Sequence, residues 1–290
     1  MNLKQLKSNL ILVLTAAIWG FAFVAQKESV KYIGPFLYNG VRFLMGGLSL
    51  IPLILILKIK LPEDKKYMLK GGLIVGIFLF IAANLQQVGI VDTDAGKAGF
   101  ITSLYMVIIP IIGIVLKQKT GIYTWIGVVL ASIGLYLLCV GDTLTFEASD
   151  LIILLGSFFW AGHVLLIEHF VKKIDSLLLS MMQFFVCGTL GIITSLIIGE
   201  TITMGVIYDS LIPLLYGGLM SVGVAYTLQV VAQKNAKASH AAIILSLESC
   251  FSVIGGVLIL GETMTLKGYI GCIVIFAGVL ISQIKKEVEN

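Results

Sequence analysis

The sequence predicts an all-α polytopic membrane protein: ten transmembrane helices arranged as two inverted five-helix repeats. Three observations lead there. Apolar residues make up 58% of the chain and charged ones 12%, with a mean hydropathy of +1.04, which leaves too little polar surface for a water-soluble domain of this length. The apolar residues fall into ten blocks, most of them near the ~20 residues that carry a helix across a ~30 Å hydrocarbon layer. The blocks of the second half also echo those of the first.

In chain order the predicted spans are Leu10–Ala25, Phe36–Leu57, Met68–Ile90, Ala98–Leu116, Tyr123–Val140, Leu151–Ile167, Leu177–Ile198, Leu211–Val231, Ala241–Leu260 and Leu266–Ile284. Their connections are short, so neighbouring helices run antiparallel and no soluble domain fits between them. Lys4 and Lys7 before the first block could belong to a secretory signal, but the repeat needs that block as an uncleaved helix.

Lysine placement sets the expected orientation. With the N-terminus in the cytoplasm, fifteen of the nineteen lysines fall on the inner side, including Lys58, Lys60, Lys65, Lys66, Lys70, Lys117, Lys119, Lys172, Lys173, Lys285 and Lys286. The outer loops keep Lys27, Lys31, Lys97 and Lys267 and are otherwise acidic, with Asp92, Asp94, Asp142, Glu147, Asp150, Glu200, Asp209 and Glu262. Both termini are therefore expected in the cytoplasm.

The halves, residues 8–140 and 150–284, can be laid over each other. Trp19 falls on Trp160, Arg42-Phe43 on Gln183-Phe184, and Ala82, Leu85 and Gln86 on Ala225, Leu228 and Gln229. Gly127 and Gly134 fall on Gly271 and Gly278. An odd number of spans per half turns the second upside down, a plan that places a solute site between repeats near the midplane. Trp19 and Trp160 both reach that depth, about 14 Å along their helices. There they either fill a helix–helix gap or turn their indole NH groups to a cavity.

These blocks resemble the drug/metabolite transporter superfamily, specifically its EamA-type families, over nearly the whole chain. The resemblance rests on AAIWGFAFVAQK, GPFLYNGVRFL, AGKAGFITSLYMVIIPIIG and LSLESCFSVIGGVLILGETMTLKGYIG in that order. It implies a secondary transporter of small organic metabolites, amino-acid-like or drug-like. The central cavity would be lined by the first, third, fourth, sixth, eighth and ninth spans and reached by alternating access. Export is the expected direction. The alternative is a passive facilitator, channel or lipid-handling protein. One departure from the pattern is Lys117-Gln118 in the first half, where the second has Gly261-Glu262.

The cavity candidates are Trp19, Phe23, Asn84, Gln86, Tyr105, Trp160, His163, Tyr226, Gln229 and Glu248; the electrostatic ones are Glu248, Arg42 and Lys97. Glu248 is the sharpest, because a carboxylate at bilayer depth costs at least a few kcal/mol and so faces a bundle interior or a wet cavity. Its counterpart in the first half is Leu104. It serves coupling to protons or counter-substrate, or a substrate amine; otherwise it bonds to a neighbouring helix. Arg42, the chain's single arginine, lies about 10 Å from Glu248 along the membrane normal, so a direct pair is not expected. Holding helix-end carbonyls or snorkelling outward suits it better.

Lys97 sits in a first helical turn, where the dipole disfavours it. It either attracts an anionic group or pairs with Asp92 or Asp94. The amides Asn84, Gln86, Gln87, Gln229 and Gln233 line a vestibule or tie helices together. Pro110 is a natural hinge in the fourth span.

The fifth and tenth spans, with their recurring glycines, belong at the periphery and offer a homodimer contact. Cys139, Cys187, Cys250 and Cys272 lack metal or disulfide spacing, and His163, His169 and His240 sit at different depths. No enzyme, cofactor, metal or nucleic-acid role is expected, and no phosphate loop is present. The expected partners are a small-molecule substrate and the lipid bilayer.

Overall fold

The computed structural model describes residues 3–117, 120–139, 147–261, 263, 265–282 and 284. Gln118, Lys119, Asp142, Glu262, Lys285 and Lys286 lie outside these residues, as does the side chain of Cys139. All the regular elements described are helices. Among the described residues, eight spans are long and apolar enough to cross a membrane. Five are single helices: α1 (Leu3–Ser29), α2 (Pro35–Ile56), α3 (Lys65–Gly89), α7 (Ala148–Phe170) and α8 (Ser176–Ile198).

The other three spans are composite. α4 (Ala95–Ser103) and α5 (Tyr105–Val115) make one. α10 (Leu211–Leu215), a π-helical segment (Tyr216–Tyr226) and α11 (Thr227–Gln233) make the second, preceded by the short α9 (Met204–Asp209). α12 (Ala238–Leu245), α13 (Glu248–Gly255) and a π-helical turn (Gly256–Leu260) make the third. Two shorter apolar helices, α6 (Ile122–Cys139) and α14 (Leu266–Ser282), complete the bundle. The chain is thus a polytopic helical membrane protein. Its outer faces carry Ile126, Val129, Ile133, Ile270, Ile273, Phe276 and Leu280 into the surroundings, an apolar belt that only lipid accommodates.

Helix ends are tied by side chains where the backbone runs out of partners. Asp64 caps α3 and Asp175 caps α8. Two ends are capped from elsewhere in the chain. Glu200 accepts from the amides of Phe36 and Leu37 at the start of α2 (3.1 and 2.7 Å). Glu168 accepts from Ala238 N at the start of α12 (3.0 Å). At the end of α3, the Lys27 ammonium donates to the carbonyls of Ile90, Val91 and Thr93 at 3.0–3.1 Å, a cation where the helix dipole is negative.

The interior packing is reciprocal. α1 lies on α13 and α7 on α4; α3 lies on α7, while α1 lies on the π segment and α11; α2 meets the π segment and α3 meets α8. α2 also packs along α8, and α6 along α14. The glycines of this last pair are turned toward each other. A Cβ on Gly278 would stand 2.8 Å from Gly127 O, and one on Gly134 would stand 2.6 Å from Gly271 O. Backbone-to-backbone approach of this kind is what small residues permit between membrane helices.

The fourth span is interrupted away from its proline. The interruption falls between α4 and α5 at Leu104, six residues before Pro110, which sits inside α5. The ninth span breaks at the matching depth without any proline, at Ser246–Leu247. There Ser246 Oγ bonds Ile243 O and Ser249 Oγ bonds Ser246 O, each at 2.7 Å, and serine hydroxyls that compete for helix carbonyls bend helices.

Candidate functional site

Both breaks open onto one small cavity. Tyr105, the first residue of α5, and Glu248, the first of α13, stand in its wall with Trp19, Phe23 and Gln26 of α1. Arg42 of α2, Gln86 of α3, Thr102 of α4, Trp160 of α7, Ser221 and Tyr226 of the π segment and Gln229 of α11 complete its polar and aromatic lining. The space open to water inside is about 30 Å³, room for one or two water molecules.

The rings are ordered around Tyr226. Trp19 approaches it with ring centroids 4.5 Å apart, and Trp160 stacks on it at 6.0 Å and 23°. Phe43 and Phe184 close the other side at 5.7 and 6.1 Å. Two residue pairs that the internal repeat matches therefore flank a single phenol ring.

Polar contacts fix the walls. Gln86 Oε1 accepts from Trp160 Nε1 at 3.0 Å and Thr102 Oγ1 at 3.3 Å, while its Nε2 donates to Gln26 Oε1 at 3.0 Å. Trp19 Nε1 donates to Ser221 O at 3.3 Å. That carbonyl lies in a π-helical stretch, whose wider turns shift the backbone bonding and often occur at functional sites. Glu248 is buried and accepts from Ser103 Oγ at 3.4 Å. Gly20 lets α1 pass directly over it: a Cβ there would run into the Phe251 side chain and lie 2.8 Å from Glu248 O.

Arg42 is 1% exposed. Its Nε donates to Asn39 Oδ1 at 2.8 Å, and its guanidinium lies over the rings of Phe43 (4.8 Å) and Tyr38 (5.2 Å). It makes no ion pair among the described residues, and Glu248 makes none either. The direct contact that axial spacing argued against is absent, yet both charges reach the same cavity. The snorkelling expected of Arg42 does not occur; the side chain turns inward.

Of the predicted residues, Trp19, Phe23, Gln86, Tyr105, Trp160, Tyr226, Gln229, Glu248 and Arg42 meet at this cavity. Three do not. Asn84 stands behind Arg42, accepting from Asn39 Nδ2 at 3.0 Å and donating to Phe80 O at 2.8 Å. His163 bonds Gln183 at 2.7 Å and packs edge-on to Trp160. It holds the wall from outside. Lys97 pairs with Asp150 of α7 at 2.6 Å, a partner in the other half. The remaining amides divide likewise, with Gln87 bonding Gln26 O and Ser29 Oγ, and Gln233 bonding Val164 O.

Gln26, Thr102 and Ser221 were missed. Gln26 is seven residues beyond Trp19 and therefore on the same helix face, a signal that was available. Ser221 contributes a main-chain carbonyl and leaves no trace in sequence. A second hollow of about 350 Å³ lies between α1 and α9–α10, walled by Phe21, Val24, Tyr32 and Ile212 among others. It holds none of the predicted residues.

A membrane-spanning helical bundle enclosing one buried chamber with ionisable and aromatic walls defines a polytopic membrane protein built around an internal site. The model of the EamA-like transporter family matches residues 6–140 and again 148–283, and the chain belongs to that family of membrane transporters. Among its relatives is an uncharacterised transporter of Archaeoglobus fulgidus, 31% identical over 98% of this chain and 88% of the relative. The uncharacterised transporter YoaV of Bacillus subtilis is 22% identical over 96% of this chain and 97% of its own length. The uncharacterised inner membrane transporter YedA of Escherichia coli K12 is 22% identical over 91% and 87%. A solved crystal structure superposes with a TM-score of 0.79 over 96% of both chains at 13% identity, a likeness of fold.

Proposed function

We propose that the protein is a secondary carrier that exports small organic metabolites across the cytoplasmic membrane by alternating access. In this reading the ten apolar helices form two five-helix units, residues 8–140 and 150–284, inverted relative to each other, with both chain ends in the cytoplasm. The observation that carries it is the convergence of Trp19 with Trp160, and of Phe43 with Phe184, on the ring of Tyr226 beside a single chamber. Repeat-matched residues meeting at one point are what an inverted-repeat carrier with a midplane site requires.

The double family match and the reciprocal helix pairs support the same arrangement. The lysine distribution supports the orientation. A chamber of about 30 Å³ admits no organic solute, so loading requires the units to part on one side, as alternating access demands.

Counterflow in proteoliposomes tests this. With unlabelled solute inside, a carrier gives a transient overshoot of the labelled solute, whereas a channel gives none. Overshoot is expected for at least one member of a panel of L-amino acids and cationic dyes such as ethidium; its absence for all overturns the reading. Coupling to protons through Glu248 is part of the proposal. Transport independent of pH and unchanged in Glu248→Gln would remove that part.

A further inference from the structure

Both ions of the chamber stand where the internal repeat is broken. Arg42 occupies the position of Gln183, and Glu248 that of Leu104. The neutral lining is shared between the halves, Trp19 with Trp160 and Gln86 with Gln229, but the cation comes from the first half alone and the carboxyl from the second. No ion pair joins them among the described residues, although both are at least 97% buried. A buried charge without its counter-charge costs several kcal/mol, and a ligand that carries the complementary pattern of charge would offset that cost.

The unmet hydrogen bonds are divided in the same way. Beyond its Nε bond to Asn39, the Arg42 guanidinium has no hydrogen-bond acceptor among the described residues. That leaves a planar donor fork shaped for a carboxylate. Elsewhere in the wall, Gln229 Oε1 is buried with no partner among the described residues, and Tyr105 Oη is buried beside the Glu248 carboxyl. Glu248 receives a long bond from Ser103 and has the Tyr105 hydroxyl beside it. These groups can accept, and they suit an ammonium. Buried polar atoms without partners are uncommon in folded proteins and call for an explanation.

We propose that the chamber is a two-charge site for a small zwitterion, Arg42 taking the carboxylate and Glu248 with Gln229 and Tyr105 taking the ammonium. The faces of Trp19, Trp160 and Tyr226 then contact the apolar body between the charges. Asn39 and Asn84 act as positioning residues, because Asn39 holds Arg42 Nε and is itself held by Asn84 Oδ1 and Ala83 O. This assignment rests on the carrier reading for its setting, but it makes a separate claim about binding.

The test is ligand-dependent thermal stabilisation of the full-length protein in nanodiscs, using three molecules that share one body. L-phenylalanine carries both charges, 2-phenylethylamine the amine alone and 3-phenylpropionate the acid alone; the twenty standard amino acids extend the first class. The expected result is that at least one amino acid binds tenfold or more tightly than its singly charged analogues. Arg42→Gln, the residue its own repeat carries at the matching position, should weaken zwitterion binding at least tenfold and leave amine binding unchanged. Arg42→Lys should restore part of it, and Glu248→Gln should show the mirror pattern.

Equal binding of a singly charged analogue to the unaltered protein, or no binding of any of the twenty amino acids, overturns the proposal without need of a variant. Counterflow of ethidium without amino-acid binding would sink the two-charge site and leave the carrier standing. Amino-acid binding without counterflow of any solute would do the reverse.

Discussion

Gln86 joins four helices through one amide: it sits on α3, accepts from Trp160 of α7 and Thr102 of α4, and donates to Gln26 of α1. Replacement by leucine keeps the volume but orphans an indole NH, a hydroxyl and a carbonyl oxygen in a buried place. Individual hydrogen bonds in membranes are worth ~0.6 kcal/mol on average, and orphaned groups cost more. Gln86→Leu should therefore destabilise the protein by about 1–3 kcal/mol, read as a lowered apparent Tm in detergent. It should also change the fluorescence of Trp160.

The residues legible in sequence were those whose chemistry conflicts with their depth: tryptophans at mid-bilayer and a carboxyl among aliphatics. Asn84 and His163 satisfied the same criterion and yet stand behind the wall, because depth does not give the direction in which a side chain points. Lys97 was legible as an anomaly, but its partner Asp150 lies 53 positions away across the repeat boundary, where no local rule reaches.

For the helices, hydropathy located eight spans that are long and apolar enough to cross a membrane among the described residues, and said little of their internal detail. Hydropathy counts apolar residues and is blind to an interruption of one or two residues, so the breaks at Leu104 and Ser246–Leu247 and the π segment at Tyr216–Tyr226 were invisible. Proline was a misleading guide, since its ring is accommodated within α5. The glycines of the fifth and tenth spans were read as packing residues, and they pack against each other. With the glycines of α6 and α14 facing each other, Gly278→Leu must push the backbone of Gly127 and Ala131 away. Overpacking of this kind costs about 1–3 kcal/mol. The apparent Tm should fall accordingly, while Leu280→Ala on the exposed face of the same helix leaves it within a degree or two.

For the whole molecule, the polytopic helical class could be read from the sequence because it is written many times over, in one apolar block after another. The chamber itself was less legible: it forms where residues up to 229 positions apart converge, and Arg42 joined it from a span not expected to contribute. The proposed orientation predicts a labelling pattern. In a background with the four native cysteines replaced, Asp209→Cys should react with a membrane-impermeant maleimide in intact cells, and Lys173→Cys should react only after the membrane is opened. The opposite pattern would reverse the sidedness proposed above.

The near-closure of the chamber to about 30 Å³ also bears on ligand design. An inhibitor drawn to fit these walls would be no larger than its solvent, so a useful one must be shaped to a parted form. Its measured affinity would then already include the work of prising the helices open. Two compounds with equal contacts could differ widely in strength according to how far each forces the bundle to spread.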